Sequence, residues 1–435
     1  MTQLIISLLR MPIVRPFIAT TLAVSCCLLS CGDKGDKQAE GNDQPEQSPG
    51  QKQEEKAVVK EDNTPLPDKV TFNAHIQPVI SEKCYHCHGP DSSTREPKKA
   101  PLRIDREEFA FEPRENGKPV IIKGNPAESY LVELINSDDP GIRMPPPEAH
   151  HTLTKRDIAL IEKWIEQGAE YQEHWAFIAP EKPSEPATSD PEWASNPIDH
   201  FTLAAMEEHG LEPNPEQAPH RLLRRIYFDL IGLPPAPEKV EAFVAAHAED
   251  PLKAINGVLD ELFKSTAYGE QQGRLWLDAA RYADTHGIHI DNYREIWPYR
   301  DWVVQAFNDN MPFDQFTIEQ LGGDLLPTSS LEQKVATGFN RCLPTTGEGG
   351  SIAEEVEAMY ASERANTTFG VWQGLTVACA ECHDHKFDPV SQKEFYQITA
   401  FFRNTTMSAL DRNNSKHPPS MFVARPADRP RYNDI

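Results

Sequence analysis

The five residues Cys84-Tyr85-His86-Cys87-His88 constrain this chain more than any other stretch, and their pattern returns as Cys379-Ala380-Glu381-Cys382-His383. Two thiols three positions apart, with a histidine directly after the second, form the attachment signature of a c-type haem. One tight turn presents both sulfurs to the vinyl groups on one edge of the porphyrin, while the following imidazole takes an axial position on iron. The chain holds 8 Cys and 15 His in 435 residues, so chance alone would supply ~0.005 such matches. A disulfide or half of a zinc site would account for either cysteine pair, but not for the histidine after each. The spacing assigns Cys84, Cys87, Cys379 and Cys382 to two covalently attached haem c groups, and His88 and His383 to their iron.

The remaining cysteines fall outside both motifs. Cys26 and Cys27 lie inside an apolar run, Phe17 to Ser30, that follows Arg10 and Arg15. The run is short for a membrane span and reads as a secretory signal over residues 1–30. Leu28-Leu29-Ser30-Cys31 resembles a bacterial lipobox, which makes Cys31 the lipidated residue; an ordinary signal peptide with a cysteine near its end is the alternative. Residues 31–68 are polar and almost free of large apolar side chains, as expected of a disordered tether. Both readings send the chain out of the cytoplasm, to the periplasm or cell envelope, with a lipid anchor in the first. Cys342 reads as a buried free thiol.

Charge narrows the partners. A formal net charge of −24 and a pI near 5.0 exclude nucleic acid as a binding partner and fit a redox partner protein in the cell envelope. Oligomeric state is not written in the sequence.

The pattern from 69 to 175 is that of a small helical domain. Phe72, Ile76 and Ile80 suggest a short helix that runs into Cys84, and Gly89-Pro90 breaks it. A second helix is expected over Pro126–Ile135. Arg143-Met144-Pro145-Pro146-Pro147 follows, and its proline-rich backbone would hold the Met144 thioether in an extended loop as the second axial ligand of the first haem. A core methionine is the competing reading, and His150 and His151 are alternative ligands. Thr154 caps an expected helix that carries Ile158, Ile161, Trp164 and Ile165 on one face, with Gly168 as its stop.

Residues 176–197 are rich in Pro, Glu and Ser and read as a linker. Helices are then expected over Pro219–Ile231, ended by Gly232 and Pro234, over Val240–Ala246, over Leu252–Phe263 and from Trp276 to Ala283. The fold class is therefore mainly α: a small cytochrome c-like helical domain over 69–175, a larger, mostly helical haem-bearing domain over 198–424, and a tail over 425–435.

Longer stretches carry a family resemblance. Cys84–His88, Arg143-Met144-Pro145-Pro146 and Trp164-Ile165-Glu166-Gln167-Gly168-Ala169 resemble the planctomycete cytochrome c module. The larger domain is similar to the domain of unknown function 1549. The matching stretches are Phe228-Asp229-Leu230-Ile231-Gly232-Leu233-Pro234-Pro235, Trp276-Leu277-Asp278-Ala279-Ala280-Arg281-Tyr282-Ala283-Asp284, Trp297-Pro298-Tyr299-Arg300-Asp301-Trp302, Pro312-Phe313-Asp314-Gln315-Phe316-Thr317 and Cys382-His383-Asp384-His385-Lys386-Phe387-Asp388-Pro389. The resemblance implies an exported, haem-carrying protein of planctomycete-like bacteria and supplies no reaction. Relatives commonly continue into a further large domain, so it also implies that this chain is a shortened product.

No Met-Pro loop follows the second motif. Met407, His417, His286 and His289 are the candidates for its distal side, with His286 and His289 the candidate catalytic groups; an isolated histidine is more often structural. An open sixth position would suit a haem-dependent oxidoreductase, and a filled one would suit electron transfer. Trp372 and Leu375 are expected either against the porphyrin or in the core. The carboxylates and arginines from Arg281 to Arg300 and from Glu348 to Glu357 read first as solvated ion pairs. The functional expectation is an exported dihaem c-type cytochrome that transfers electrons, with its second haem the place for any oxidoreductase chemistry. A haem-stabilised surface structural or binding module without turnover is the alternative. No nucleophile constellation points to hydrolysis.

Overall fold

In a computed structural model, residues 64–98, 101–428 and 431 are described. The expected signal peptide, the lipidation site Cys31 and most of the tether lie outside them. Among the described residues the protein is α-helical, and its β-pairing is confined to isolated bridges.

The first domain is organised by two helices that cross. The chain enters through a π-helical turn, Phe72–Ile76, that continues as α1 (Gln77–Lys83), α2 (Tyr85–His88) and, after a loop, α3 (Glu107–Ala110) and α4 (Tyr130–Ile135). α5 (Lys155–Glu166) begins at a capping box in which Thr154 and Asp157 exchange side-chain-to-backbone hydrogen bonds. Such a cap stabilises a helix by about 1 kcal/mol. Leu160, Ile161, Trp164 and Ile165 bury one face of α5 against Phe72, Ile76 and Ile80. The Phe72 ring sits 5.8 Å from Trp164 and 4.6 Å from Tyr171. That aromatic contact fixes the lead helix, and with it the turn that carries Cys84.

The segment after Phe177 has no regular structure until α6 (Pro197–Glu208). Proline at the first turn and a well-placed stop define the next helices: α7 (Pro219–Ile231), which ends at Gly232 in the left-handed conformation, α8 (Pro237–Glu249) and α9 (Pro251–Leu262). These three form one apolar cluster around Leu223, Ile226 and Leu259.

α10 (Thr266–Ala279) stops earlier than the apolar pattern through Ala283 suggests, because Arg281 takes a positive φ of 63° and turns the chain away. α11 (Trp297–Asn308) packs against it, α12 (Phe313–Gly322) reaches it through the Trp276–Phe316 ring contact, α13 (Leu331–Ala336) packs on α11 and α12, and α14 (Ala353–Gln373) and α15 (Gln392–Arg403) complete the domain. Gln320 is fully buried in this core, yet its amide is satisfied: Oε1 accepts from Tyr299 Oη at 2.7 Å and Trp276 Nε1 at 2.8 Å, and Nε2 donates to the Phe316 carbonyl at 3.0 Å.

Close helix approach decides which small residues matter. A Cβ at Gly269 on α10 would collide with the Val304 carbonyl and the Asn308 side chain of α11, whereas one at Gly273 would meet Val303 Cγ1 at an ordinary 3.4 Å. We expect Gly269→Ala to destabilise the fold by about 1–3 kcal/mol through overpacking. Gly273→Ala should leave it unchanged or slightly more stable. Urea unfolding followed by circular dichroism checks both; equal midpoints for the two variants would contradict this packing.

Candidate functional site

The first motif is built by a turn that uses its own backbone. Cys84 N donates to the Ile80 carbonyl at 2.8 Å, and the Cys84 carbonyl accepts from Cys87 N at 3.2 Å and His88 N at 2.9 Å. The Cys87 and His88 carbonyls accept in turn from Glu96 N and Ile104 N, both at 2.9 Å. With the main chain satisfied, the side chains are left for chemistry. Gly89 closes the turn so tightly that a Cβ there would strike the Tyr85 carbonyl.

Both thiols are free and partly buried. Burial pushes Cys84 up to about 12, and burial, then the charge of Glu96, raises Cys87, so both are held as thiols. Burial also lowers the pKa of His88, helped by the charge of Arg114, while the Glu96 backbone works in the opposite sense. The Nδ1 atom of His88 is buried without a hydrogen-bond partner of good geometry. A neutral imidazole in that setting is a ready iron ligand.

Met144 packs against the same core as Cys84. Its amide donates to the Leu134 carbonyl at the end of α4 at 3.1 Å, and Pro146 continues the loop in extended backbone. His86 and His150 are exposed and His151 half-exposed.

The second motif lies at the surface. Cys379 and Cys382 are exposed free thiols on a short 3-10 turn, Val377–Glu381, and His383 is exposed beside them. His383 Nδ1 lies 2.9 Å from the Asp384 carbonyl. A carbonyl only accepts, so the proton sits on Nδ1 and the lone pair on Nε2, the arrangement of an axial imidazole.

A rigid platform backs this turn. His385 is buried, and its Nδ1 accepts from Phe387 N at 3.1 Å and Asp388 N at 2.7 Å. Asp388 accepts from Thr376 N at 2.9 Å and Oγ1 at 2.7 Å, while α15 holds the Glu381 carbonyl through Gln392 and Tyr396. His385 is therefore a loop-closing residue whose remaining nitrogen faces the Asp388 carboxylate at 3.8 Å.

The two motifs are brought near each other by residues that local pattern does not single out. Asp91 and Arg95, in the loop that leaves the first motif, lie within electrostatic reach of His383 and Asp384. The turn Trp175–Phe177 seats Ala176 in the apolar cluster of Leu375, Val377 and Ala380 beneath the second motif, and His174 Nε2 lies 3.6 Å from Asp388.

The candidate distal groups are arranged otherwise. His286 is fully buried, with Nδ1 at 2.6 Å from Thr345 Oγ1 and Nε2 at 3.0 Å from the Asn414 carbonyl; Thr345 donates on to Asp411 at 3.0 Å. Both ring nitrogens are thus committed to a network that ties the loops near 286, 345 and 411. His289 is exposed, with Nδ1 3.3 Å from Asn413. Met407 Sδ accepts from Arg364 at 3.4 Å, and His417 donates to the Ser408 carbonyl at 2.7 Å. Trp372 packs on Phe339 and Trp276 in the helical core, while Leu375 belongs to the cluster under the second motif. Thr345 and Asp411 stand 59 and 125 residues from His286, so no local signal announces them.

Residues 84–148 match the family model described as Planctomycete cytochrome C, and residues 197–407 match the one described as a protein of unknown function, DUF1549. Searches of curated proteins and of solved structures found no match. The first match points to a haem-binding, cytochrome-like protein, with haem c as the group that Cys84 and Cys87, the thiols inside the matched segment, would hold.

The buried histidine network gives a pH signature. Burial, reinforced by the charges of Arg341 and His286, holds His417 down at about 4 against the ordinary 6.5, although the Ser408 carbonyl and Asp411 oppose this. The unfolded chain therefore takes up this proton first, and stability is lost as the pH falls from 6.5 towards 4. We expect His417→Gln, whose amide can still donate to Ser408, to flatten that part of the profile of urea midpoint against pH. An unchanged slope would show that His417 does not titrate across the transition.

Proposed function

We propose that this chain, which joins a planctomycete cytochrome C domain to a DUF1549 domain, is an exported dihaem cytochrome that passes electrons between its two sites. The observation that carries this reading is the pair of Cys-x-x-Cys-His turns with free thiols, together with the loop leaving the first turn, whose Asp91 and Arg95 lie within electrostatic reach of His383 and Asp384. Covalently bound haem iron would supply a one-electron couple at each site.

The chain's own residues supply the rest. Cys84 and Cys87 would hold the first group and Cys379 and Cys382 the second. His88 and Met144 would ligate the first iron, an environment that raises the potential. His383, with Nδ1 held by the Asp384 carbonyl, would present Nε2 to the second. Because His286 is committed at both nitrogens and Met407 accepts from Arg364, neither would be free to ligate the second iron, and any small-molecule binding or oxidoreductase activity would reside at that site. The lipid-anchored cell-envelope location and a redox partner protein belong to the same reading and rest on the leader, Cys31 and the acidic charge.

The test is haem stoichiometry and ligation on the mature protein. Intact mass and pyridine haemochrome absorption should give two haems per chain, and Cys379→Ala with Cys382→Ala should remove one. Met144→Ala should convert the first haem from low spin to high spin and lower its midpoint potential, with the second unchanged. Cyanide should bind the wild type at one site only. A single haem that survives loss of Cys379 and Cys382 would refute the dihaem reading. Two haems that exchange no electrons with a soluble donor would point to the haem-stabilised structural module instead.

A further inference from the structure

A cleft of about 920 Å³ opens on the DUF1549 domain between the start of α11, the α13 region and the chain from Ser415 to Arg425, and neither haem-binding turn lines it. Although the chain as a whole carries a net charge of −24, the charged lining of this cleft is mostly cationic: Arg294, Lys334, Arg341, Lys416 and Arg425 face it, against Glu295 and Asp428.

The two arginines are built into the wall. Arg294 is 3% exposed and donates to the main-chain carbonyls of Leu343 at 2.8 Å, Arg341 at 3.2 Å and Ala283 at 3.3 Å; its Nε is buried without a partner. Arg341 donates to the Pro419 carbonyl at 2.8 Å and to that of His417. Neither guanidinium makes an ion pair among the described residues. Carbonyls satisfy the N–H donors but do not neutralise the charge, and Asp284 and Asp411 act on Arg294 only from beyond ion-pair distance, so the cations retain attraction for an anion in the cleft. Lys334 and Lys416 are exposed at the rim and also lack an ion-pair partner among the described residues.

An acceptor stands beside these cations. His417 lines the cleft and directs Nε2 to the Ser408 carbonyl, which leaves the lone pair on Nδ1. A group of this kind takes a hydrogen bond from a hydroxyl. Trp297 and Phe422 add apolar wall.

We propose that this cleft binds a small hydroxylated organic anion, its oxyanion drawn by Arg294, Arg341 and the two rim lysines and a hydroxyl donated to His417. The site is independent of haem content and of whether the second iron turns over. Titration calorimetry of the full, haem-loaded chain at low ionic strength tests it with three probes: gluconate, hexanoate and sorbitol. We expect gluconate to bind, hexanoate to bind at least tenfold more weakly for want of hydroxyls, and sorbitol to give no heat. Lys334→Glu and Lys416→Glu alter exposed side chains, so their melting temperatures and haem absorption should match the wild type while gluconate affinity falls about tenfold for each. Raised salt should weaken gluconate binding in parallel. Absence of gluconate binding, or undiminished binding by both reversal variants, would overturn the site. Equal affinity for hexanoate and gluconate would overturn the role of His417 and the hydroxyl.

Discussion

The seat of the 174–176 turn on the second motif's platform is the contact on which the placement of the two Cys-x-x-Cys-His turns depends. Asn73, in the lead helix of the first domain, donates to Gln172 Oε1 at 3.0 Å and to the Glu173 carbonyl at 2.7 Å. Three residues later Ala176 enters the cluster beneath Cys379. Three extended residues reach roughly 11 Å at most, so the anchor in one domain and the anchor in the other cannot separate further without breaking one of them. The His174–Asp388 pair adds little at 3.6 Å, since burial lowers the pKa of His174 and only Asp388 opposes it. Apolar packing holds the seat.

The histidines that end the two Cys-x-x-Cys-His turns sit in different hydrogen-bond settings, and this separates the turns more than their shared sequence suggests. His383 is exposed and already sorted, with Nδ1–H on a carbonyl. His88 is half-buried, and its buried Nδ1 lacks a partner of good geometry. An unsatisfied buried polar atom costs about 1–3 kcal/mol, so the first turn carries a local penalty. The second turn carries no such penalty and is held by the platform of Asp388, Gln392 and Tyr396.

What can be read from the sequence is what is local. The capping box at Thr154, the helix from Pro219 to Ile231 and the Cys-x-x-Cys-His turns are each specified by residues within a few positions of one another. The boundary of α10 is less legible, because a positive φ at Arg281 leaves no periodic trace. The pairing of the two motifs and the His286–Thr345–Asp411 network are not legible at all. The first joins segments more than 200 residues apart, and the second links His286 to partners 59 and 125 residues away through single polar side chains; a lone histidine or threonine looks the same in a loop as in such a network. Trp372 illustrates the converse: its nearness in sequence to Cys379 suggests a porphyrin contact, yet tertiary packing takes the ring into the helical core.

The buried arginines follow from the same irregular architecture. Between α14 and its neighbours the chain crosses itself in segments joined only by isolated bridges such as Gly287 with Thr345 and Thr346 with Leu410. Backbone carbonyls there lack the helix or sheet partners that buried main chain requires. Arginine carries five donors on one planar group, and Arg294, Arg341 and Arg364 together take up the carbonyls of Ala283, Asn340, Arg341, Leu343, His417 and Pro419. Desolvating a guanidinium costs several kcal/mol, and the strain is visible in Arg364, where burial and then the charge of Arg341 bring the pKa down to about 10. A carboxylate in the cluster would relieve the charge but would compete with the carbonyls for the same donors. The fold keeps the carbonyls bonded and leaves the arginines without a contact ion pair among the described residues, with Asp284 and Asp411 acting on Arg294 only from a distance.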